Sequence, residues 1–569
     1  METNDTRASQ IRHRLGLATL DGSISIFEGI GTTDLLVDKG TLRDAESVIA
    51  AWGAENNMPT VVYSQAEGIR AKNAPDGPRA RVPSGIDIGT PYTVALDLIF
   101  DSIERDGVKT VIILTFAEGQ VADDHGQGYQ GDSARIVEQL AIKTTDPAWR
   151  GAGHRIVLIG KTERIDQRLS RLPGFTVEAL GLPDPTERDE ALGLMEGSTK
   201  HPLTLDRSLT RTTASRLAGG LTVDDLSRLR YRGSATRPVT TEQILQRKRE
   251  ALREMAGDTL IVHDIPPNLE TDVAGLPQIR VAVGELQSEG NLNGRLILNG
   301  PPGVGKTWVA LSMAGAMQVV AIELGRIKGR YVGESQDNFR RAKTAILANL
   351  PACLVMDEID QTVMAKRGEN PGDGSSIDAD LRTEFFTLLG DVGDQGGLSV
   401  IGMSNRPDLL DAASSDRFAK IPILHATHEE AAQIMAIQAR REGRDLDVAG
   451  ASEALAVGGD LFSGRQLVRL LGRAGIHARQ AGHHRIEATD IAWALTDVVE
   501  RIGPEEELMA LRAVAATSFH SHYPWNAARH LGDPFATPPK YLEPFVLSDG
   551  SVDLVAIRAR IKEMEHHAR

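Results

Sequence analysis

The sequence predicts an α/β chain, with a parallel sheet in each half and a helical lid after the second. Three observations predict it. Short apolar runs at residues 60–64, 110–114, 155–160 and 295–298 alternate with stretches of helical apolar spacing, the pattern of a parallel sheet covered on both faces. The stretch Gly300-Pro301-Pro302-Gly303-Val304-Gly305-Lys306-Thr307 fits G-x-x-x-x-G-K-[ST] and sits between such a strand and a helix start. The run Cys353-Leu354-Val355-Met356 ends in Asp357-Glu358-Ile359-Asp360, an apolar strand closed by acids.

The bulk properties bound the answer. At 569 residues the chain has room for about three or four domains. Its hydrophobic content of 41% and charged content of 25% are ordinary for a globular protein. A net charge of −15 speaks against nucleic acid as partner, because no global basic field is present. The one cysteine, Cys353, excludes an intrachain disulfide framework and fits a reducing compartment. No apolar run approaches the ~18 residues of a membrane span, and residues 1–14 are polar without a signal core. The expectation is a cytoplasmic chain with no membrane partner.

In order, residues 1–50 hold only short apolar pieces between Gly and Thr turns and are read as an N-terminal segment. Residues 51–235 are expected to form the first α/β domain, with strands at 60–64, 110–114 and 155–160, a helix at 92–103, and loops at 70–86 and 122–132. Residues 236–262 are a linker whose charged helix, 243–255, has a basic run that reads as a solvated face. A second α/β unit follows at 263–424, a helical lid at 425–500 and a C-terminal extension at 501–569. His483-His484 in the lid lacks a nearby third ligand and reads as a polar turn. The aromatic cluster around Tyr523 and Trp525 is expected to pack back on the body.

An internal repeat links the halves. Ile156-Val157-Leu158-Ile159-Gly160-Lys161-Thr162-Glu163-Arg164 parallels Leu398-Ser399-Val400-Ile401-Gly402-Met403-Ser404-Asn405-Arg406, and Gly174-Phe175 through Pro183 parallels Arg417-Phe418 through Leu424. The segment 217–226 parallels 457–467. The first copy lacks the chemistry. No Gly-Lys-Thr follows Val61-Val62-Tyr63, and Thr115 and Phe116 stand where acids should close the strand. The first half reads as a degenerate ATPase-like α/β domain.

The residue types of the second unit suit phosphate chemistry. Glycines let backbone N–H groups close around phosphate oxygens, and the following helix adds its positive end. Lys306 would reach the β- and γ-phosphates, and the Thr307 hydroxyl would ligate Mg²⁺. Asp357 would hold Mg²⁺, mostly through its water, and Glu358 would polarise the attacking water. Asn405 ends the next strand, where it either orients that water or simply forms a turn.

Together, Gly300 to Thr307, Met356-Asp357-Glu358-Ile359-Asp360, Ser404-Asn405-Arg406-Pro407-Asp408 and Tyr331-Val332-Gly333-Glu334-Ser335 resemble the AAA ATPases of the AAA+ superfamily, over about residues 265–500. The layout resembles the members first known as a conserved chloroplast reading frame. The resemblance implies a P-loop NTPase sheet with a helical lid, ATP and Mg²⁺ as cofactors, and assembly as a homo-oligomer, a hexamer by family habit. It implies that Gly275, in Asp272-Val273-Ala274-Gly275-Leu276, lies against adenine, that Trp308 after the loop also belongs to the ATP-binding set, and that Tyr331, Val332 and Gly333 face a central pore. Arg465, in Ser463-Gly464-Arg465, matches the nucleotide-sensing start of the lid helix. Arg417 matches the later of two arginines that reach a neighbour's site. The segment 412–415 before it is shortened and the earlier arginine is missing.

The sequence reading is an Mg²⁺-dependent ATP hydrolase with Lys306, Glu358, Asn405 and Arg417 as catalytic groups, remodelling or threading a protein substrate. The alternative is a slow nucleotide-dependent assembly switch or scaffold.

Overall fold

The computed structural model describes residues 6–21, 24–72, 74, 77–117, 121, 131–161, 171–172, 174–233, 237–264, 266–289, 292–325, 334–361, 364, 376–393, 396–458, 462–497, 503–532 and 537–567. The chain divides into two compact units, Met1–Arg247 and Lys248–Arg569.

The first unit carries the strands β1 (Ile24–Glu28), β2 (Leu35–Asp38), β3 (Thr41–Asp44), β4 (Thr60–Ser64), β5 (Gly68–Ala71), β6 (Val111–Leu114), β7 (Arg155–Gly160) and β8 (Phe175–Ala179). Its main sheet runs β5-β4-β6-β7-β1-β8. Every pairing is parallel except β4 with β5. Alternation sends residues to opposite faces. Ile24, Ile26, Val61, Ile112 and Leu158 join one core, while Phe27, Val62, Ile113, Val157 and Ile159 join another. Burial on both faces explains why these strands read as unbroken apolar runs.

The second unit carries β9 (Leu260–Val262), β10 (Arg295–Asn299), β11 (Val320–Leu324), β12 (Ala352–Met356), β13 (Leu398–Ser404) and β14 (Ala419–Pro422). Their order is β14-β10-β13-β12-β11-β9, again parallel except for the β9 edge. By position, β1 corresponds to β10, β7 to β13, β6 to β12 and β8 to β14. The edge strands differ in origin, since β5 follows its neighbour as a hairpin and β9 precedes the whole sheet.

This corrects the boundary expected at residue 50. β1 is an interior strand of the first sheet, hydrogen-bonded between β7 and β8. It is also the strand in the phosphate-loop position, a place first given to 60–64. Its partners lie more than a hundred residues away in sequence, so nothing local marks it. The expected loop at 70–86 likewise gives part of its start to β5, and most of 122–132 lies outside the described residues.

In the second unit the helices His428–Arg441, Val448–Gly458, Gly464–Gln480 and Ala488–Asp497 close around their own apolar core. Thr427 with Glu430, and Ser463 with Gln466, form capping boxes that fix where two of these helices begin. The residues beyond 503 form another cluster, with Trp525 buried and stacked on Tyr523 at 5.2 Å. Ser518 ties that cluster to β14, since Ser518 N–H donates to Lys420 O and Lys420 N–H to Ser518 Oγ. Among the described residues no helix is long and apolar enough to cross a membrane.

Candidate functional site

The loop after β10 needs its glycines for different reasons. A Cβ on Gly300 would collide with the carbonyl oxygen of Ile423, whose own N–H donates to Asn299 O. Gly303 and Gly305 have φ of +79° and +90°, the left-handed region where a side chain is strained. The helix Lys306–Ala316 then starts directly from Gly305 with no side-chain cap, so its first-turn N–H groups face the loop.

Lys306 is buried, and its ammonium donates to Gly300 O at 2.9 Å, Pro301 O at 2.7 Å and Asn405 Oδ1 at 2.7 Å. Burial pushes its pKa down from 10.5 to about 8, with Asp357 and Asp360 pulling the other way. Asp357 leaves the end of β12 and accepts the Glu358 N–H at 2.9 Å. Glu358 has φ of +46°, rare for a residue with a long side chain, and both carboxylates are exposed. Thr307 lies exposed in the first turn of the helix.

The lid reaches this loop. Arg465 N–H donates to Gly303 O at 3.3 Å, and the residue is exposed. Trp308 connects the loop helix to the lid by another route. Its Nε1 donates to Asp272 O at 3.0 Å, and the Arg441 guanidinium lies 4.0 Å from its ring centre. Arg441 is also 3.7 Å from the Asp272 carboxylate. Gly275, at φ +64°, packs where a Cβ would strike the Glu430 carboxylate, and it borders a cleft of about 730 Å³ shared with Ala436 and Arg440 of the lid.

Thus Lys306 and Asn405 touch, the charges of Asp357 and Asp360 act on Lys306, and Gly303 bonds to Arg465. Arg417 stands apart on the surface, its guanidinium 5.1 Å from the Phe386 ring centre. Tyr331, Val332 and Gly333 lie outside the described residues. His483 Nε2 lies 3.6 Å from Asp490, which His477 also contacts at 2.7 Å, and no group of three metal-binding side chains forms among the described residues.

Sequence reasoning missed two buried groups. Asp360 and His425 are both nearly inaccessible; the Asp360 charge acts on Lys306, and the Lys306 charge acts on His425. Burial, then Lys306, pushes His425 down to about 4, so it is neutral at physiological pH. Asp360 stands in the acidic motif, but nothing in the sequence separates it from its exposed neighbours. His425 carries no signal, because its proximity to the loop comes from the β10–β14 pairing.

The arrangement fits a nucleotide phosphate chain and its metal. It supplies a glycine loop on a helix start, a buried cation, and a hydroxyl and carboxylate that form a hard oxygen donor set suited to Mg²⁺.

Comparison with known proteins agrees. Residues 296–424 match the family described as ATPase family associated with various cellular activities (AAA). The chain is 29% identical over 244 residues to the Peroxisomal ATPase PEX6 of Homo sapiens, covering 40% of this chain and 24% of that protein. It is 29% identical over 396 residues to the Peroxisomal ATPase PEX6 of Neurospora crassa, covering 66% and 24%. It is 26% identical over 232 residues to a Putative ribosome biogenesis ATPase nvl of Dictyostelium discoideum, covering 38% and 26%. The matches therefore span about a quarter of each relative's length. Residues 296–424 of the second unit are thus an AAA ATPase domain, and the chain is similar to AAA ATPases over part of its length.

Proposed function

We propose that the second unit hydrolyses ATP with Mg²⁺ and that the chain, assembled as a homo-oligomeric ring, uses the cycle to remodel or thread a protein. The observation that carries the reading is the meeting of buried Lys306 with Gly300 and the half-buried Asn405 in one hydrogen-bonded group. The residues hold ATP as follows. The backbone of 300–305 and Lys306 take the phosphates, and Gly275 and Trp308 flank the base. Arg465 senses the γ-phosphate from the lid. Thr307 and Asp357 would hold Mg²⁺, which would supply charge neutralisation on the phosphate chain. Glu358 polarises the attacking water and Asn405 orients it. The chemistry is therefore mostly positioning and charge compensation.

Arg417 is the group given to the neighbour's site, and its exposure supports that use. Tyr331 is the group given to the substrate. The names of the relatives, a peroxisomal and a ribosome biogenesis ATPase, support work on protein assemblies. The single, buried Cys353 supports a cytoplasmic setting. The shortened approach to Arg417, a helix of only four residues at Ala412–Ser415, favours the second reading, a slow nucleotide-dependent assembly switch.

The test is steady-state ATP hydrolysis against protein concentration for wild type, Glu358→Gln and Arg417→Ala. Specific activity that rises with concentration and collapses in both variants is the expected result. Wild type that binds ATP yet turns over no faster than Glu358→Gln would replace the motor with the switch.

A further inference from the structure

The first unit repeats the strand ends of the second and then fills the loop with its own charge. β1 and β7 end at Glu28 opposite Gly160, as β10 and β13 end at Asn299 opposite Ser404. Leu180 N–H donates to Glu28 O at 2.9 Å, as Ile423 N–H does to Asn299 O at 2.7 Å. A Cβ on Gly29 would collide with Leu180 O, as one on Gly300 would with Ile423 O. Beyond β6, Phe116 has φ of +56°, where Glu358 has +46° beyond β12. The backbone frame of a nucleotide site is therefore kept.

The groups on that frame are exchanged, the loop lysine lost and the lid cation replaced by an acid. Counting from the strand ends, Leu35 falls at the position of Lys306, and Lys161 at that of Asn405. Thr222 and Ser463 both cap and box the helix that follows them, which places Asp224 at the position of Arg465. Asp34 turns its carboxylate back into the loop, accepting Gly31 N–H at 2.8 Å, and its other oxygen lies 3.5 Å from Lys161 Nζ. Asp224 accepts Leu35 N–H at 2.8 Å. Burial, with Asp34 and Asp225 as neighbouring charges, pushes Asp224 up, while the Leu35 N–H and Lys161 act against it. The helix dipole is withdrawn as well. The loop runs into the β2–β3 hairpin, and the helix Ala45–Glu55 begins later, with Asp44 accepting Ser47 N–H at its start.

A loop N–H and a lysine that would meet phosphate oxygens already share a carboxylate, and a second carboxylate stands where the lid cation would. A nucleotide triphosphate entering here would displace an internal anion and face another at short range. We propose that the first unit takes up no nucleotide because the Asp34 carboxylate permanently fills its phosphate position. The unit is then a platform whose state does not change through the ATP cycle. The nucleotide count below also rests on the proposed ATPase reading of the second unit.

The experiment counts nucleotide on the full chain, by titrating a non-hydrolysable ATP analogue with Mg²⁺ onto wild type and Lys306→Ala. A single site per chain, lost in Lys306→Ala, is expected. Two sites in wild type, or one that survives in Lys306→Ala, would overturn the proposal. A count of zero in wild type would remove the ATPase reading and agree with this one. The role of Asp34 is read separately by thermal unfolding. Asp34→Ala should lower the transition of the first unit, and inorganic phosphate should recover part of the loss by occupying the freed Gly31 N–H and Lys161. An Asp34→Ala variant that unfolds as wild type does, with or without phosphate, overturns the assignment of Asp34. If that variant does not fold, Asp34→Asn, which keeps the acceptor for Gly31 N–H and removes only the charge, should bind inorganic phosphate more tightly than wild type, and no gain overturns the assignment.

Discussion

Lys306 and Asn405 are joined by a hydrogen bond of 2.7 Å across two elements that lie almost a hundred residues apart in sequence. The bond places the loop cation and the polar end of β13 on the same point, where the γ-phosphate is proposed to bind. Removing either should act differently. Lys306→Ala should abolish measurable ATP binding, while Asn405→Ala should bind ATP but lose about 10²–10³-fold in kcat, the usual cost of one preorganised polar group. Binding by equilibrium titration and single-turnover hydrolysis separate the two. Equal loss of binding in both would assign Asn405 to holding Lys306 alone.

Binding should weaken in base. Free Lys306 loses its proton near pH 8, well below the ordinary 10.5, because burial penalises its charge. Phosphate oxygens favour the protonated form, so above about pH 8 binding must recruit a proton. ATP affinity should be level below that point and fall roughly tenfold per pH unit above it, until the pKa of the bound form is reached. Titrations in buffers of different ionisation heat check the proton uptake directly. A level affinity through pH 9 to 10 would contradict it.

The Trp308–Arg441 contact joins the loop helix to the lid, so it should report and steady lid closure. Arg441→Ala removes a cation–π contact of about 0.5–2 kcal/mol and one partner of Asp272. The expected outcome is faster exchange of bound nucleotide, with tryptophan emission that shifts less on binding. Stopped-flow release of a fluorescent nucleotide measures it.

Gly29 and Gly300 face the same steric limit from two different carbonyl oxygens. Alanine at either should lower stability by about 1–3 kcal/mol, the range for forced overpacking, with the additional strain of φ +79° at Gly29. Hydrolysis should collapse only for Gly300→Ala. Paired denaturant melts and ATPase assays on the two variants make the comparison.

The sequence by itself determined the class of the fold and the chemical parts of the second unit. Apolar runs must become buried strands, and a Gly-Lys-Thr loop between strand and helix has one strong physical use. These signals are local, each readable within a dozen residues. It also led to the expectation that the first half is a repeat without catalytic groups. Only the tertiary structure decided where that repeat begins, because β1 is defined by hydrogen bonds to strands that arrive much later in the chain. It alone brought His425 and Asp360 within electrostatic reach of Lys306, and Arg441 onto Trp308, since side chains on separate elements meet through packing rather than spacing. It also turned Asp34, one acid among many in a loop, into the group that fills the first unit's phosphate position. Sequence lists which charges are available; the fold sets which of them face each other at hydrogen-bonding distance, where electrostatic energies become large enough to choose a function.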